Sequence, residues 1–229
     1  MSQSGPLGRP PTVSIECIAD HPTDASGFVR LRQVELVNRY ADGRRSEPYR
    51  YFMVERALLD AVVIVLFRKT DGGPQVLLRS QLRPPLAFRK AYEVPIGAAG
   101  TGAVQWELPA GLIERGELGM AGIFGRASAE AYEEAGFRLA PERFSQLGLP
   151  TSLSPGLIAE KLHFAYAELT DRDAQEEPPG DGHAVEEASV CRFVSLEEAL
   201  AAVESGLVHD IKTELGLLRL KARLLGAAE

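Results

Sequence analysis

The sequence predicts an α/β (α+β) protein in which a small N-terminal antiparallel β subdomain precedes a larger domain with a sheet and helices. Three observations predict this fold class. Residues 29–36, "VRLRQVEL", alternate apolar and polar side chains, as a strand with one covered face does. Residues 60–69, "DAVVIVLFRK", are far more apolar, which is typical of a central strand. Residues 209–226 have the spacing of an amphipathic helix.

The domain organisation follows from these patterns. Residues 1–11 predict a disordered tail, residues 12–56 the β subdomain, and residues 57–229 the main domain. An Asp42-Gly43 pair favours a tight turn inside the subdomain. The Gly-rich "IGAAGTG" lacks the strand and helix that a dinucleotide-binding loop requires, so we expect an ordinary flexible loop there.

The remaining elements of the main domain are predicted from local signals. The turn "TDGGP" separates two strands of a hairpin, and a Pro- and Gly-rich stretch follows it. Ser195 with Glu198 three residues later has the spacing of a capping box at a helix start. The other predictions are a helix over 120–135, strand, loop and strand over 137–169, and a mobile acidic loop over 170–188.

Composition excludes several classes of function. The formal net charge is -7, whereas a nonspecific nucleic-acid binder carries a basic face, so we expect no nucleic-acid partner. No apolar run approaches the roughly 18–20 residues of a membrane span, and the N-terminus lacks the apolar core of a signal peptide. Cys17 and Cys191 are far apart and show no metal-ligand spacing, which fits a reducing cytosol. The sequence therefore predicts a cytoplasmic protein without a membrane anchor.

Three carboxylates crowd one face of the predicted helix over 120–135. Glu130, Glu133 and Glu134 are three and four residues apart and therefore project together. A solvated acidic face is one interpretation. A second is a metal site, because small alanines flank the glutamates and a "PAG" turn before the helix can supply a carbonyl oxygen. Carboxylate and carbonyl oxygens suit Mg²⁺ or Mn²⁺.

The stretch from Gly111 to Phe137 resembles the Nudix box, G-x5-E-x7-R-E-U-x-E-E-x-G-U, where U is apolar. Gly111 and Glu117 match its first anchors, and "EAYEEAGF" matches its end. "WELPAGLIERGE", "SQLRPP" and "TSLSPGLIAEKLHFAYAEL" are similar to segments of the ADP-ribose and nucleotide-sugar pyrophosphatase branch. The resemblance implies an α/β/α sandwich with a mixed sheet, and it covers the chain from about Val13 to the C-terminus.

The sequence departs from this box at two places. Eleven residues, Leu118 to Ser128, separate Glu117 from the position of the box arginine, where the family has seven. Four extra residues are about one helical turn, so the glutamates keep their face. Ala129 stands where the box has Arg, which in the family pairs with the first box glutamate. Arg126, about one turn earlier, is a candidate replacement; a surface arginine with no such role is the alternative.

The resemblance also implies the chemistry and the residues that perform it. The reaction is Mg²⁺-dependent (Mn²⁺ is possible) hydrolysis of the diphosphate of a nucleoside diphosphate sugar. The residues implied as metal ligands are the Ala110 carbonyl, Glu130 and Glu134, and those implied as catalytic are Glu133, Glu134 and Glu160. Glu160, in "SPGLIAEK", is the candidate general base, and Glu186 and Glu187 in the acidic loop are its rivals.

Substrate contacts are predicted from the same branch. Arg83 and Arg79 are candidates for phosphate binding, because a guanidinium fork matches phosphate oxygens. Phe28, with Tyr51 and Phe52 as alternatives, is the candidate for stacking on the base, and in this branch the N-terminal sheet commonly forms a homodimer interface. Two alternative functions stay open. One is a catalytically weak Nudix-fold sensor of nucleotide metabolites, and the other a hydrolase of dinucleoside polyphosphates or coenzyme A.

Overall fold

The computed structural model describes residues 13–22, 28–89, 92–95, 103–180, 182 and 189–226. The chain divides into two compact units. The first comprises residues 1–57 and 154–159, and the second comprises residues 58–153 and 160–229. The predicted tail, most of the "IGAAGTG" loop, and Glu186 and Glu187 lie outside the described residues.

The first unit contains a three-stranded antiparallel sheet in the order β1-β2-β3, formed by Val13–Pro22, Val29–Tyr40 and Tyr49–Arg56. The predicted turn at Asp42-Gly43 is present, with the Gly43 amide donating to the Tyr40 carbonyl at 3.0 Å. Residues 154–159, far away in sequence, belong to this unit: the Val54 amide donates to the Leu157 carbonyl at 2.8 Å.

The second unit contains a mixed sheet whose backbone order is β11-β5-β4-β10-β8. The apolar β4 lies next to β5 and parallel to β10, so it is the central strand that the sequence predicts. Three short strands, β6, β7 and β9, pair with β5, β4 and β10 respectively. The strands of this sheet are Ala61–Thr70 (β4), Gly73–Leu82 (β5), Val104–Glu107 (β6), Ala110–Leu112 (β7), Ser145–Gln146 (β8), Thr151–Ser152 (β9), Lys161–Leu169 (β10) and Cys191–Ser195 (β11).

Helices cover both faces of this sheet, which makes the second unit an α/β/α sandwich. The helices are α1 (Pro84–Phe88), α2 (Gly119–Glu133), α3 (Leu196–Glu204) and α4 (Ile211–Gly226). Helices α3 and α4 pack on one face and α2 packs on the other. Strand β4 is apolar throughout its first seven residues because it is buried on both faces.

Small residues let α2 approach the sheet closely. Ala127, Ala131 and Ala135 recur every four residues and are fully buried against β4 and β10. Ala129 is only partly buried, so the small-residue face includes Ala127 and not Ala129. This packing orients the adjacent side of α2, which carries the glutamates.

Two local predictions have different outcomes. Helix α3 has the capping box: the Glu198 amide donates to the Ser195 hydroxyl, and the Ser195 amide donates to the Glu198 carboxylate. The strand predicted at the start of 137–169 is wrong. That segment makes one isolated bridge from Phe137 to Gln175 and then a short 3-10 helix, because Pro141 lacks the amide that a continuing ladder requires.

Within the described residues, each helix is too short or too polar to cross a lipid bilayer.

Candidate active site

A cavity of about 370 Å³ in the second unit brings together most of the residues that the sequence singles out. It lies where α2, β7 and the end of β5 meet. Of the sequence-predicted residues, its lining includes Arg83, Ala110, Glu130, Glu133 and Glu134. Arg79 lines a small adjoining pocket together with Arg83 and Glu134.

The glutamates of α2 are not a solvated face. Glu130 and Glu134 are each only 9% exposed, and Glu133 is partly buried. Gly111 explains part of this burial, because a Cβ atom at that position would overlap the Glu130 carboxylate. The first glycine of the box motif is therefore required by a close approach between β7 and α2.

Arg79 and Glu134 form a buried ion pair through Nη1 and Oε1. The Arg79 side chain is 5% exposed and that of Glu134 is 11% exposed. The Glu134 carboxylate also accepts a hydrogen bond from the Ala110 amide at 2.9 Å. Cys191 lies beside the pair and donates to the Glu134 carbonyl at 3.3 Å, and burial raises the pKa of its thiol to about 11. The Cys191 thiol is thus predominantly neutral near pH 7.

A second arginine, Arg83, directly follows β5 and is held by a carboxylate on β6. Arg83 donates through Nε to Glu107 Oε1 at 2.8 Å and through Nη2 to Glu107 Oε2 at 2.5 Å. The hydrogen bond with Glu107 raises the pKa of Arg83. Glu107 lies in the "WELPAGLIERGE" segment, and the sequence alone assigns it no role. A charged residue inside an apolar strand segment is the signal that marks it, since such a residue is buried only with a partner.

The extra turn of α2 carries the predicted replacement for the box arginine. Arg126 donates to Glu117 at 2.9 Å (Nη2) and 3.2 Å (Nε), so the predicted contact is confirmed. It also lies 3.0 Å from Glu114 and 3.8 Å from Glu130. Burial acts to raise the pKa of Glu117, but hydrogen bonds from Arg126 and from the Glu114 amide outweigh it and lower that pKa.

A glycine makes the extra turn possible. A Cβ atom at Gly122 would overlap the backbone of Glu117, so the inserted turn packs directly on the residue that Arg126 holds. The inserted turn, Gly122 and Arg126 therefore all meet at Glu117. Ala129, at the position of the box arginine, lies one turn further along α2.

The other predicted residues lie elsewhere. Glu160 is 6% exposed and immediately precedes β10, and it does not line the cavity. Phe28 and Phe52, in the first unit, are 64% and 51% exposed. The Tyr51 hydroxyl donates to the Gly156 carbonyl at 2.7 Å within that unit.

The donor set of the cavity suits a hard divalent cation. The Ala110 carbonyl, Glu130, Glu133 and Glu134 offer only oxygen ligands. Among the described residues, no three His, Cys, Asp or Glu side chains stand close enough together to hold an ion. Arg79 engages Glu134, and Arg126 approaches Glu130 at 3.8 Å, so these two carboxylates are paired with arginines.

The chain is similar to one curated protein and to several solved structures. It is 39% identical over 155 residues to uridine diphosphate glucose pyrophosphatase NUDT14 of Bos taurus, a match that spans 60% of this chain and 65% of the relative. A solved ADP compounds hydrolase covers 96% of both chains with a TM-score of 0.63 and 20% identity. A NUDIX hydrolase from Listeria monocytogenes covers 73% of this chain with a TM-score of 0.47 and 19% identity. No family model matches the chain.

The resemblance to Nudix hydrolases is confirmed. The sequence match supports it for the 155 aligned residues, and the likeness to the ADP compounds hydrolase shows the fold along nearly the whole chain. The chain spans just under two thirds of the length of the curated relative. Its activity, substrate and partners are therefore proposals.

Proposed function

We propose that this protein hydrolyses the diphosphate bond of a nucleoside diphosphate sugar to a nucleoside monophosphate and a sugar phosphate. The observation that carries the proposal is the single cavity lined by Glu130, Glu133, Glu134 and Arg83. The names of the relatives, a uridine diphosphate glucose pyrophosphatase and an ADP compounds hydrolase, support this substrate class.

The reaction balances with water as the second substrate. Water oxygen attacks one phosphorus, the bridging P–O bond breaks, and the two monophosphates leave with the protons of water. A divalent cation, Mg²⁺ or possibly Mn²⁺, held by Ala110, Glu130 and Glu134, would supply charge neutralisation on the phosphates. Glu133 adds negative charge beside these ligands, and Arg83 orients the diphosphate through its guanidinium.

Glu160 is our proposed general base. It is a buried carboxylate at the end of the "SPGLIAE" segment, and a carboxylate is a group that can take a proton from an attacking water. Arg79 is the proposed second phosphate ligand, which requires that it leave Glu134 when the cation binds. Phe28 is the proposed platform for the nucleobase, supported by its exposed ring.

We propose a cytoplasmic homodimer that forms through residues 12–56. The support is the exposed apolar surface of the first unit, where Val29, Leu31 and Phe52 are each about half exposed. Replacing Leu31 with Asp should shift the mass in light scattering from dimer to monomer, and an unchanged mass would remove this support.

Turnover of a substrate panel tests the function. UDP-glucose, ADP-ribose, a dinucleoside polyphosphate and coenzyme A are incubated with Mg²⁺, and monophosphate products are detected as phosphate released by added phosphatase. We expect the nucleotide sugars to react fastest. Glu133→Gln should lower the rate by about 10²–10³ and leaves the Arg79–Glu134 pair intact. Glu204→Gln, an exposed glutamate of α3, is the matched control and should react like the wild type.

A binding protein without turnover is the second candidate. The replacement of the box arginine by Ala129 favours it, as does the occupation of Glu134 by Arg79. Tight binding of UDP-glucose without release of phosphate from any compound would establish this second function and contradict the first.

A further inference from the structure

A buried carboxylate connects the candidate site to the last helix of the chain. Glu107 is 2% exposed and accepts hydrogen bonds from Arg83, from Gln105 Nε2 at 2.6 Å and from Lys212 Nζ at 3.0 Å. Burial acts to raise its pKa, but the bonds from Arg83 and Gln105 and the charges of Lys212 and Arg83 lower that pKa to about 2. Glu107 is therefore ionised at neutral pH and bound to two cations.

The start of α4 fixes Lys212 in place. Its ammonium lies 3.0 Å from Asp210 as well as from Glu107, and its side chain is only 15% exposed. Asp210 also accepts from the Thr213 amide at 3.0 Å and from the Thr213 hydroxyl at 2.7 Å. The same hydroxyl accepts from the Leu108 amide at 2.8 Å. The contacts from Lys212 to Glu107 and from Leu108 to Thr213 thus join the first turn of α4 to the end of β6 and the residue after it.

Arg83 is held in a defined orientation by this arrangement. Its Nε and Nη2 both bond Glu107, while Nη1 donates to no other described residue. The Arg83 side chain is 42% exposed and lines the cavity. A guanidinium fixed on one edge and open on the other presents its remaining donors to an anion with little loss of rotamer entropy.

Lys212 also determines how much positive charge Arg83 presents. With Lys212, one carboxylate charge on Glu107 is shared by two cations. Without Lys212, Arg83 alone neutralises Glu107. The net charge beside the cavity is then one unit less positive. Because Glu107 is buried, solvent screens this change in charge less than it would at the surface, and the change acts on a bound diphosphate.

On the basis of the proposed function, we propose that Lys212 is a positioning residue that acts through Glu107 to hold Arg83 for the diphosphate, so that the first turn of α4 sets substrate affinity. The substrate class is the anionic diphosphate of a nucleotide sugar. Lys212 does not touch the substrate; its effect passes through the Glu107 carboxylate.

The test separates substrate affinity from the chemical step. Lys212→Met should raise the KM for UDP-glucose about tenfold, the loss expected for one charge-assisted hydrogen bond, and leave kcat nearly unchanged. Lys212→Arg keeps the charge and should restore the KM. Lys221→Met removes the same charge from an exposed site on α4 and should behave as the wild type. In an Arg83→Met background, Lys212→Met should add nothing further, since its effect requires Arg83.

Calorimetric binding of UDP-glucose, compared between the wild type and Lys212→Met, makes this test independent of turnover. If the wild type hydrolyses nothing but Lys212→Met binds UDP-glucose about tenfold more weakly, the proposed function fails and the role of Lys212 stands. An unchanged affinity in Lys212→Met, or an equal loss in Lys221→Met, overturns the role of Lys212. So does a full additional loss when Lys212→Met is combined with Arg83→Met. If Lys212→Met does not fold, Lys212→Gln and Lys212→Arg take its place, and equal affinities for these two overturn the role.

Discussion

Two clusters of arginine and carboxylate side chains flank the candidate site, and their carboxylates differ in exposure. The helix-entry cluster contains Glu114, Glu117 and Arg126. The side chains of the two glutamates are 60% and 27% exposed, and all three residues lie within a short stretch of sequence. The sheet-wall cluster pairs Arg79 with Glu134, and Arg83 and Lys212 with Glu107. Its carboxylate side chains are 11% and 3% exposed, and its partners are 24 to 105 residues apart.

This difference in exposure determines how much stability is lost when an ion pair in each cluster is changed. A solvent-accessible ion pair contributes about 1 kcal/mol or less, so its arginine can move along the helix if another side chain reaches the same carboxylate. Arg126 does this for Glu117. A buried charge that loses its partner is left in a medium of low dielectric, so replacing Arg79 or Glu107 alone should lower stability more than replacing an exposed partner.

Breaking the Arg79–Glu134 pair should have the largest effect on stability. Arg79→Met leaves the Glu134 carboxylate buried without its cation, so we expect the free energy of unfolding to fall by about 3–5 kcal/mol. Urea unfolding followed by circular dichroism measures this change. The double variant Arg79→Met/Glu134→Met removes both charges and should recover most of the loss. A loss below about 1 kcal/mol in the single variant would mean that the pair behaves like a surface pair.

Lowering the pH should reveal the contribution of Glu107 to the free energy of unfolding, which we expect to be smaller than that of the Arg79–Glu134 pair. The pKa of Glu107 is lowered from 4.5 to about 2, so the stabilisation is complete above the unfolded-state value and is lost as the pH falls towards 2. The stability gap between the wild type and Glu107→Gln should therefore narrow by about 2 kcal/mol between about pH 6 and pH 3. Urea titrations at the two pH values measure the gap. A gap that stays constant or widens on acidification contradicts the buried, cation-bound state of Glu107.

Removing Arg126 should change stability least. Arg126→Ala is expected to lower the free energy of unfolding by about 1 kcal/mol, because Glu117 remains hydrated. The matched control is Arg115→Ala, which removes an exposed arginine from the loop that contains Glu117. Its free energy of unfolding should stay within about 0.5 kcal/mol of the wild type. Arg126→Lys keeps the positive charge but loses the two-pronged guanidinium contact with Glu117. Its free energy of unfolding should therefore lie between those of Arg126→Ala and Arg115→Ala. Equal stabilities for Arg126→Ala and Arg115→Ala would show that the relocated arginine does not hold the loop.

Local patterns were sufficient to predict much of the second unit. The apolar run of β4, the turn before β5 and the capping box of α3 each depend on neighbours in sequence. The grouping of the α2 glutamates follows from helical periodicity, and the contact from Arg126 to Glu117 spans only nine residues. The strand expected at the start of residues 137–169 did not form, because this short apolar stretch soon reaches Pro141, which has no backbone amide to donate.

The sequence by itself determined the Nudix-like motif, the helix that carries Glu130, Glu133 and Glu134, and the local arrangement of Glu117 and Arg126. Only the tertiary structure decided that Arg79 engages Glu134, and that Lys212 reaches Glu107 across 105 residues. It also showed that segment 154–159 belongs with the first unit. The physical reason is range: helical periodicity and turn geometry act between near neighbours, whereas a buried charge finds its partner only when the packed sheet and helices bring distant strands together.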